Sequence, residues 1–226
     1  MSEGDFILFR DGFLPTNNLN LTTEEWAHFR ARRLNKEDHI IEIRDGLGKC
    51  FEYLFSPNKK ELSFLKEREL PKRKILHTIA MALPKGNRLD FFLQKVTEIG
   101  ISRVIFCELE HSIRKEFNLD RAKKIVSEAA SQSKQPDLLK IEIVVGKDWI
   151  SQVKENLLVL DPHAKTKYQR NDLKGKIPLI GPEGGFSKTE ISLMDSLSVK
   201  RVRWDGGILR TETAGIVAAS LLAYGF

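Results

Sequence analysis

Gly181-Pro182-Glu183-Gly184-Gly185-Phe186-Ser187 follows the apolar run Ile177 to Ile180, and Asp205-Gly206-Gly207-Ile208-Leu209-Arg210-Thr211-Glu212-Thr213-Ala214 follows Val199 to Trp204. Each stretch reads as the turn from a strand into a helix, with glycines where a bare backbone lets a ligand come close. Two such turns within about thirty residues predict a pocket built largely from main-chain groups of an α/β sheet. The first loop lacks the Gly-Lys-Ser/Thr ending of a phosphate loop, and neither loop carries the Gly-x-Gly-x-x-Gly of a dinucleotide site. Glu183 among the glycines would repel a pyrophosphate and suits a ligand with hydroxyls, an amino group or positive charge. Ser187 and Glu190 form a capping box, which predicts a helix from Lys188.

Working outward, strand and helix patterns alternate from residue 75 onward. Ile75 to Leu83, Val104 to Leu109, Ile141 to Val145, Leu157 to Leu160, Ile177 to Ile180 and Val199 to Trp204 are the strand candidates. Leu89, Phe92, Leu93, Val96 and Ile99 recur at helical spacing, with Asn87 as the expected cap and Gly100 as the stop. A second helix is expected over Leu119 to Ser133, before Pro136, and a last one over Thr213 to Ala223. The last carries Ala214, Gly215, Ala218, Ala219 and Ala223, small residues that fit close interior packing or a subunit interface. Alternation of this kind predicts a parallel sheet covered by helices.

The chain changes character near Pro71-Lys72-Arg73-Lys74. Before it, Phe6 to Phe9, His39 to Arg44, Lys49 to Phe55 and Glu61 to Lys66 read as short strands. Asp45-Gly46-Leu47-Gly48 joins the second and third as a hairpin. Thr22 and Glu25 cap one helix that presents Trp26 and Phe29 on one face. The expected division is a small, mostly β domain over 1–72 and an α/β domain over 73–226.

Composition narrows the class without naming a function. The 226 residues carry 37 Lys and Arg against 31 Asp and Glu, a net charge of +6 that is compatible with a polyanionic partner. Cys50 and Cys107 make no C-x-x-C, and His28, His39, His77, His111 and His163 are scattered, so no metal site is indicated. No apolar run approaches a membrane span or a signal peptide, and a soluble, cytoplasmic protein is expected.

Leu179 to Ser187 with Glu190, and Ile208 to Ala214, resemble the signature segments of the RsmE family of the SPOUT (trefoil-knotted) superfamily. Gln94-Lys95-Val96-Thr97-Glu98-Ile99-Gly100 and Glu128-Ala129-Ala130-Ser131-Gln132-Ser133 match further upstream, and His28 to Gly48 resembles the family's small PUA-like RNA-binding domain. The resemblance covers nearly the whole chain. It implies S-adenosylmethionine-dependent methylation of N3 of a specific uridine in small-subunit (16S) ribosomal RNA. The fold it implies is an α/β, parallel-sheet SPOUT domain with a C-terminal trefoil knot, preceded by a PUA-like domain. Periodicity shows no knot, and ordinary topology argues against one. A homodimer is implied, as is a partner in small-subunit rRNA or the assembling small ribosomal subunit, with no membrane association.

The residues expected to hold S-adenosylmethionine are then Leu160, Gly181, Pro182, Glu183, Gly184, Gly185, Ile208, Leu209, Thr211, Thr213 and Ala214. Arg210 is the catalytic candidate, since a planar cation can stabilise charge on the uracil oxygens or hold a phosphate. Its structural alternative is a salt bridge to Glu212 or Glu183. Arg30, Arg32 and Arg33 on the N-terminal helix, with His111, Arg114, Gln132, Lys165 and Arg170, are the expected RNA contacts. Three positions depart from the family pattern, each taking the place of a usual arginine: His111, Gln135 and Gly207. Arg114 or Lys134 could compensate. The alternative reading is an RNA-binding relative with a different RNA target or no catalysis.

Overall fold

The computed structural model describes residues 6–57, 61–112 and 117–225. The chain divides into two units, residues 1–74 with 127–138, and residues 75–126 with 139–226.

The first unit is built on a five-stranded sheet. Its strands are β1 (Phe6–Phe9), β2 (Asn18–Leu19), β3 (His39–Arg44), β4 (Lys49–Phe55) and β5 (Leu62–Glu69), in the order β1-β3-β4-β5-β2. β3 and β4 pair antiparallel as the expected hairpin. Asp45 holds its turn by accepting from the amides of Leu47 and Lys49, while Gly46 and Gly48 take the left-handed backbone. Helix α1 (Thr23–Ala31) starts at the Thr22/Glu25 capping box. Its Trp26 and Phe29 rings stack 5.6 Å apart and pack with Phe6, Ile41, Ile43, Phe51, Tyr53, Phe55 and Leu62.

The other sheet face is polar yet equally covered. Glu42, Arg44, Glu52 and Cys50 are all buried. Arg44 binds Glu42 at 2.6 Å, and Arg68 bridges Glu42 at 2.6 Å and Glu52 at 2.7 Å. Burial, reinforced by the charge of Glu42, pushes the Cys50 thiol up to about 12. The remaining Arg44 nitrogen donates to the carbonyls of Lys134 at 3.0 Å and Gln135 at 2.6 Å. These carbonyls lie in the turn two and three residues past helix α3 (Leu119–Gln132). Residues 127–138 therefore fall with the first unit, although they follow the expected boundary by more than fifty residues.

The second unit is a six-stranded sheet in which every pairing is parallel. Its strands are β6 (Thr78–Ala82), β7 (Arg103–Glu108), β8 (Lys140–Val145), β9 (Leu157–Leu160), β10 (Ile177–Ile180) and β11 (Arg201–Val202), ordered β11-β9-β10-β6-β7-β8. The chain runs outward from β6 to β8, crosses to β9, and then lays β10 between β9 and β6. Strand order thus reverses at β10, the kind of place where open parallel sheets bind ligands beyond their carboxyl ends.

Several elements depart from the sequence reading: β2 was not expected, β5 runs on to Glu69, and β6 starts only at Thr78. Helix α2 (Asn87–Ile99) has Gly86, not Asn87, at its cap position, and Gly100 closes it in the left-handed conformation as expected. The run Val199 to Trp204 supplies only two residues of strand, because Arg203 leaves β9 and bridges to Lys167. Helix α4 (Asp148–Val153) was not expected; it buries Trp149 and Ile150, and helix α5 (Lys188–Ser196) follows its capping box as expected. Helix α6 (Thr211–Tyr224) starts two residues early, at Thr211. Its small residues serve close packing on α2 and β6: a Cβ on Gly215 would stand 2.7 Å from the Phe92 ring and 3.4 Å from the Met81 sulfur.

Candidate functional site

Three loops leave the carboxyl ends of adjacent strands and enclose one cleft of roughly 360 Å³, a size within the usual range for small-ligand sites. Residues 160–163 follow β9, residues 180–186 follow β10, and residues 203–211 follow β11, with Ala214 of α6 closing the wall. Of the cofactor candidates, Leu160, Gly181, Pro182, Glu183, Gly184, Gly185, Ile208, Leu209, Thr211 and Ala214 all line it, and so does Arg210. Thr213 does not. Because α6 starts at Thr211, positions 211 and 214 share one face, and Thr213 turns away to an exposed position.

Each glycine of the β10 loop has a local cause. Phe186 folds back over Gly181, so a Cβ there would sit 2.9 Å from the ring. Thr211 reaches across from α6 and donates its hydroxyl to the Gly181 carbonyl at 3.2 Å. Gly185 takes a φ of +72°, and its amide donates to the Pro182 carbonyl at 2.9 Å. Gly184 makes room for a side chain: an added Cβ would lie 3.3 Å from the Cβ of His111. Its bareness therefore serves His111, a reason the sequence reading, which reserved it for a ligand, did not supply.

His111 is brought to the cleft by two ties. Its Nδ1 lies 3.1 Å from the Gly185 carbonyl, which can only accept, so Nδ1 carries the proton of that bond. The amide of neighbouring Glu110 donates at 2.8 Å to Glu190. Glu190, only 1% exposed, also accepts from the Ser187 amide at 2.8 Å, so one carboxylate caps α5 and stitches the loop after β7 to the loop after β10.

Arg210 occupies the cap position of α6 and is exposed at the cleft. The carboxylates considered as its structural braces are engaged elsewhere. Glu183 takes Lys85 at 3.3 Å together with Arg88, and the Arg88 Nε stands 3.8 Å from Glu212, which is 7% exposed. Lys85 and Arg88, which the sequence reading did not single out, thus hold a carboxylate of the cleft wall without lining the cleft themselves. Arg203 and Trp204, just before Gly206 and the departing position Gly207, also line the cleft. The Trp204 ring lies 4.6 Å from that of Tyr168, and Lys167 pairs with Asp205 at 3.1 Å, which fixes the basic loop 165–170 beside the cleft wall. Lys165 and Arg170 are exposed on that loop.

The remaining described RNA candidates belong to the first unit. Arg30, Arg32 and Arg33 are exposed where α1 ends, with the Arg32 guanidinium 5.3 Å from the Phe6 ring centre. Gln132, also exposed, is the last residue of α3 and falls with the first unit. Gln135 holds a structural post there, accepting from Arg73 at 2.8 Å. Arg114 lies outside the described residues. Among the described residues one trio, Glu24, His28 and Glu128, has potential metal-ligand atoms within 4.8 Å of one another, all three exposed.

A parallel sheet whose order reverses beside a glycine-walled cleft defines a class, and the comparisons name it. Residues 71–223 match the RNA methyltransferase domain family, and the chain is an RNA methyltransferase-domain protein. More narrowly, it belongs to the ribosomal RNA small subunit methyltransferase E family. The Aquifex aeolicus member is 30% identical over 218 residues, covering 91% of this chain and 94% of its own length. The Bacillus subtilis member is 29% identical over 237 residues, covering 91% and 89%. The same fold occurs in a ribosomal RNA small subunit methyltransferase E from Neisseria gonorrhoeae bound to S-adenosyl methionine. That chain superposes with a TM-score of 0.77 at 24% identity, with 95% of both chains covered.

Proposed function

We propose that this chain transfers a methyl group from S-adenosylmethionine to N3 of a specific uridine in small-subunit ribosomal RNA. The observation that carries the reading is the convergence of both glycine-bearing motifs, the second carrying Arg210, on one cleft at the strand-order reversal. The wall suits the donor. Leu160, Ile180 and Leu209 offer apolar contact, and the glycine loops offer backbone.

When bound, S-adenosylmethionine supplies a methyl group on a positively charged sulfur, which is already a good leaving group. The loops position the donor and exclude water, and for an in-line displacement such placement can contribute much of the rate. Uridine N3 keeps its proton at neutral pH, so negative charge develops on the uracil oxygens as that proton leaves. Arg210, a permanent cation at the open side of the cleft, stabilises that charge with its planar fork. His111, fixed by the Gly185 carbonyl, borders the same loop and leaves its second ring nitrogen for an RNA group.

The finer architecture belongs to the same proposal. Residues 1–72 act as a PUA-like RNA-holding domain, supported by the small β unit and the exposed arginines at the end of α1. Residues 73–226 form the SPOUT domain with its trefoil knot, supported by the insertion of β10 between the earlier strands β9 and β6. The enzyme works in the cytoplasm as a homodimer, as the family resemblance implies, and no described helix is long and apolar enough to cross a membrane. A second reading, RNA binding without this reaction, is motivated by His111, Gln135 and Gly207 in place of the usual arginines. Mass spectrometry of small-subunit rRNA nucleosides from cells with and without the gene separates the two. Loss of 3-methyluridine supports the proposal, and an unchanged nucleoside profile rejects it.

A further inference from the structure

Lys85 and Arg88 converge on the carboxylate of Glu183, which is itself part of the cleft wall. All three side chains are between 38% and 44% exposed. Ion pairs this wet contribute little, because water competes for every partner. The carboxylate is thus held weakly by two cations that face solvent. A Cβ added at Gly86, in the turn between the two cations, would meet no atom within 4 Å beyond its chain neighbours. Arg88 retains a second carboxylate, Glu212, if Glu183 leaves.

From this arrangement we infer that Lys85 and Arg88 form a seat for a backbone phosphate of the RNA acceptor, and that Glu183 is its tethered occupant in the free protein. The inference rests on the RNA-methylating function proposed above. A phosphodiester offers the Arg88 fork two charged oxygens at once, a geometry the cation recognises well. When phosphate takes the seat, Glu183 is released and the Pro182–Gly185 segment that carries it is freed from α2. Acceptor binding then reshapes the loop that holds the donor. The two ligands are coupled through one displaced carboxylate, and by linkage each changes the affinity of the other.

The test compares Glu183→Gln and Arg88→Gln in the full-length protein. It measures affinity for in vitro transcribed small-subunit rRNA at several salt concentrations, and affinity for S-adenosylmethionine without RNA. Thermal melting verifies that both variants fold. A phosphate seat predicts opposite signs. Glu183→Gln removes the competitor and binds RNA about two- to fivefold tighter, the size of an exposed pair. Arg88→Gln loses a phosphate contact, binds RNA several-fold more weakly and shows a shallower salt dependence. A purely structural brace predicts that both variants weaken RNA binding, and that result overturns the seat. An equal loss of S-adenosylmethionine and RNA affinity in Arg88→Gln also overturns it, giving the cations to the carboxylate of the donor. If the wild-type protein shows no salt-sensitive RNA binding at all, the functional reading itself fails and the seat falls with it.

Discussion

Gly181→Ala is the most direct probe of the cleft, because a single methyl group acts on one defined contact. The new Cβ would stand 2.9, 3.0 and 3.2 Å from three carbons of the Phe186 ring. Carbon atoms sit best about 3.5–4.0 Å apart, so the ring must retreat by roughly 0.5–1 Å. Phe186 is packed against the core of the second unit, and retreat is opposed. Overpacking of this kind costs about 1–3 kcal/mol. The strain falls on the segment between Gly181 and Phe186, which is the cleft wall itself. The expected result is a loss of S-adenosylmethionine affinity of about tenfold or more, with thermal stability lowered by about 1–3 kcal/mol at most. Isothermal titration calorimetry and thermal melting measure the two effects separately. Adding Phe186→Leu should relieve the clash, so the double variant should recover part of the affinity lost by Gly181→Ala. Wild-type donor affinity in the folded single variant, or no recovery in the double, would refute the placement of this loop in the site.

Other substitutions test other links. Gly215→Ala puts a Cβ 2.7 Å from Phe92 and should destabilise the second unit by about 1–3 kcal/mol, read by chemical denaturation. Arg44→Met takes one of two arginines from the buried Glu42 and removes a donor to the carbonyls of Lys134 and Gln135, so a loss of about 3–5 kcal/mol is expected in urea unfolding. Arg210→Lys should lower single-turnover methylation by roughly two orders of magnitude while calorimetry shows donor affinity nearly unchanged. Burial opposes ionisation of Glu25, but its hydrogen bonds from Arg10 and Thr22 outweigh that and hold its carboxyl below the usual value of 4.5. A lowered folded value contributes stability above the unfolded value and loses it as pH falls through the folded one. Glu25→Gln should therefore flatten the fall of melting temperature below about pH 4.5.

Local chemistry made much of the fold readable. The strands Phe6–Phe9, His39–Arg44, Lys49–Phe55, Leu157–Leu160 and Ile177–Ile180 stand where their apolar patterns put them, and the capping boxes at Thr22 and Ser187 start helices as written. These features depend on neighbours within a few residues. Pairing at a distance was not readable. Ile41-Glu42-Ile43-Arg44 alternates as a strand with one wet face would, yet both faces are buried. What covers Glu42 and Arg44 is charge from β5 and the carbonyls beyond α3, about ninety residues away. Alternation reports the polarity of a face. It does not report whether that face meets water or a polar part of the same chain.

The same distinction explains the site. Glycine loops announce themselves, because a missing side chain is written at the position where it matters, and ten of the eleven expected donor residues line the cleft. Lys85 and Arg88 do not announce themselves, since their meaning lies in Glu183, which is 95 residues from Arg88. His111 falls between these cases. The sequence placed it beside the cleft by family position, and the structure adds that Gly184 stays bare to admit it and that the Gly185 carbonyl aims it. One consequence bears on dividing the chain into parts. A fragment beginning at Arg73 would lack Arg44, and with it the donor to the carbonyls of Lys134 and Gln135. Loss of RNA affinity in such a fragment would mix the absence of α1 arginines with an undone helix end, so point substitutions at Arg30, Arg32 and Arg33 isolate the RNA contribution where truncation does not.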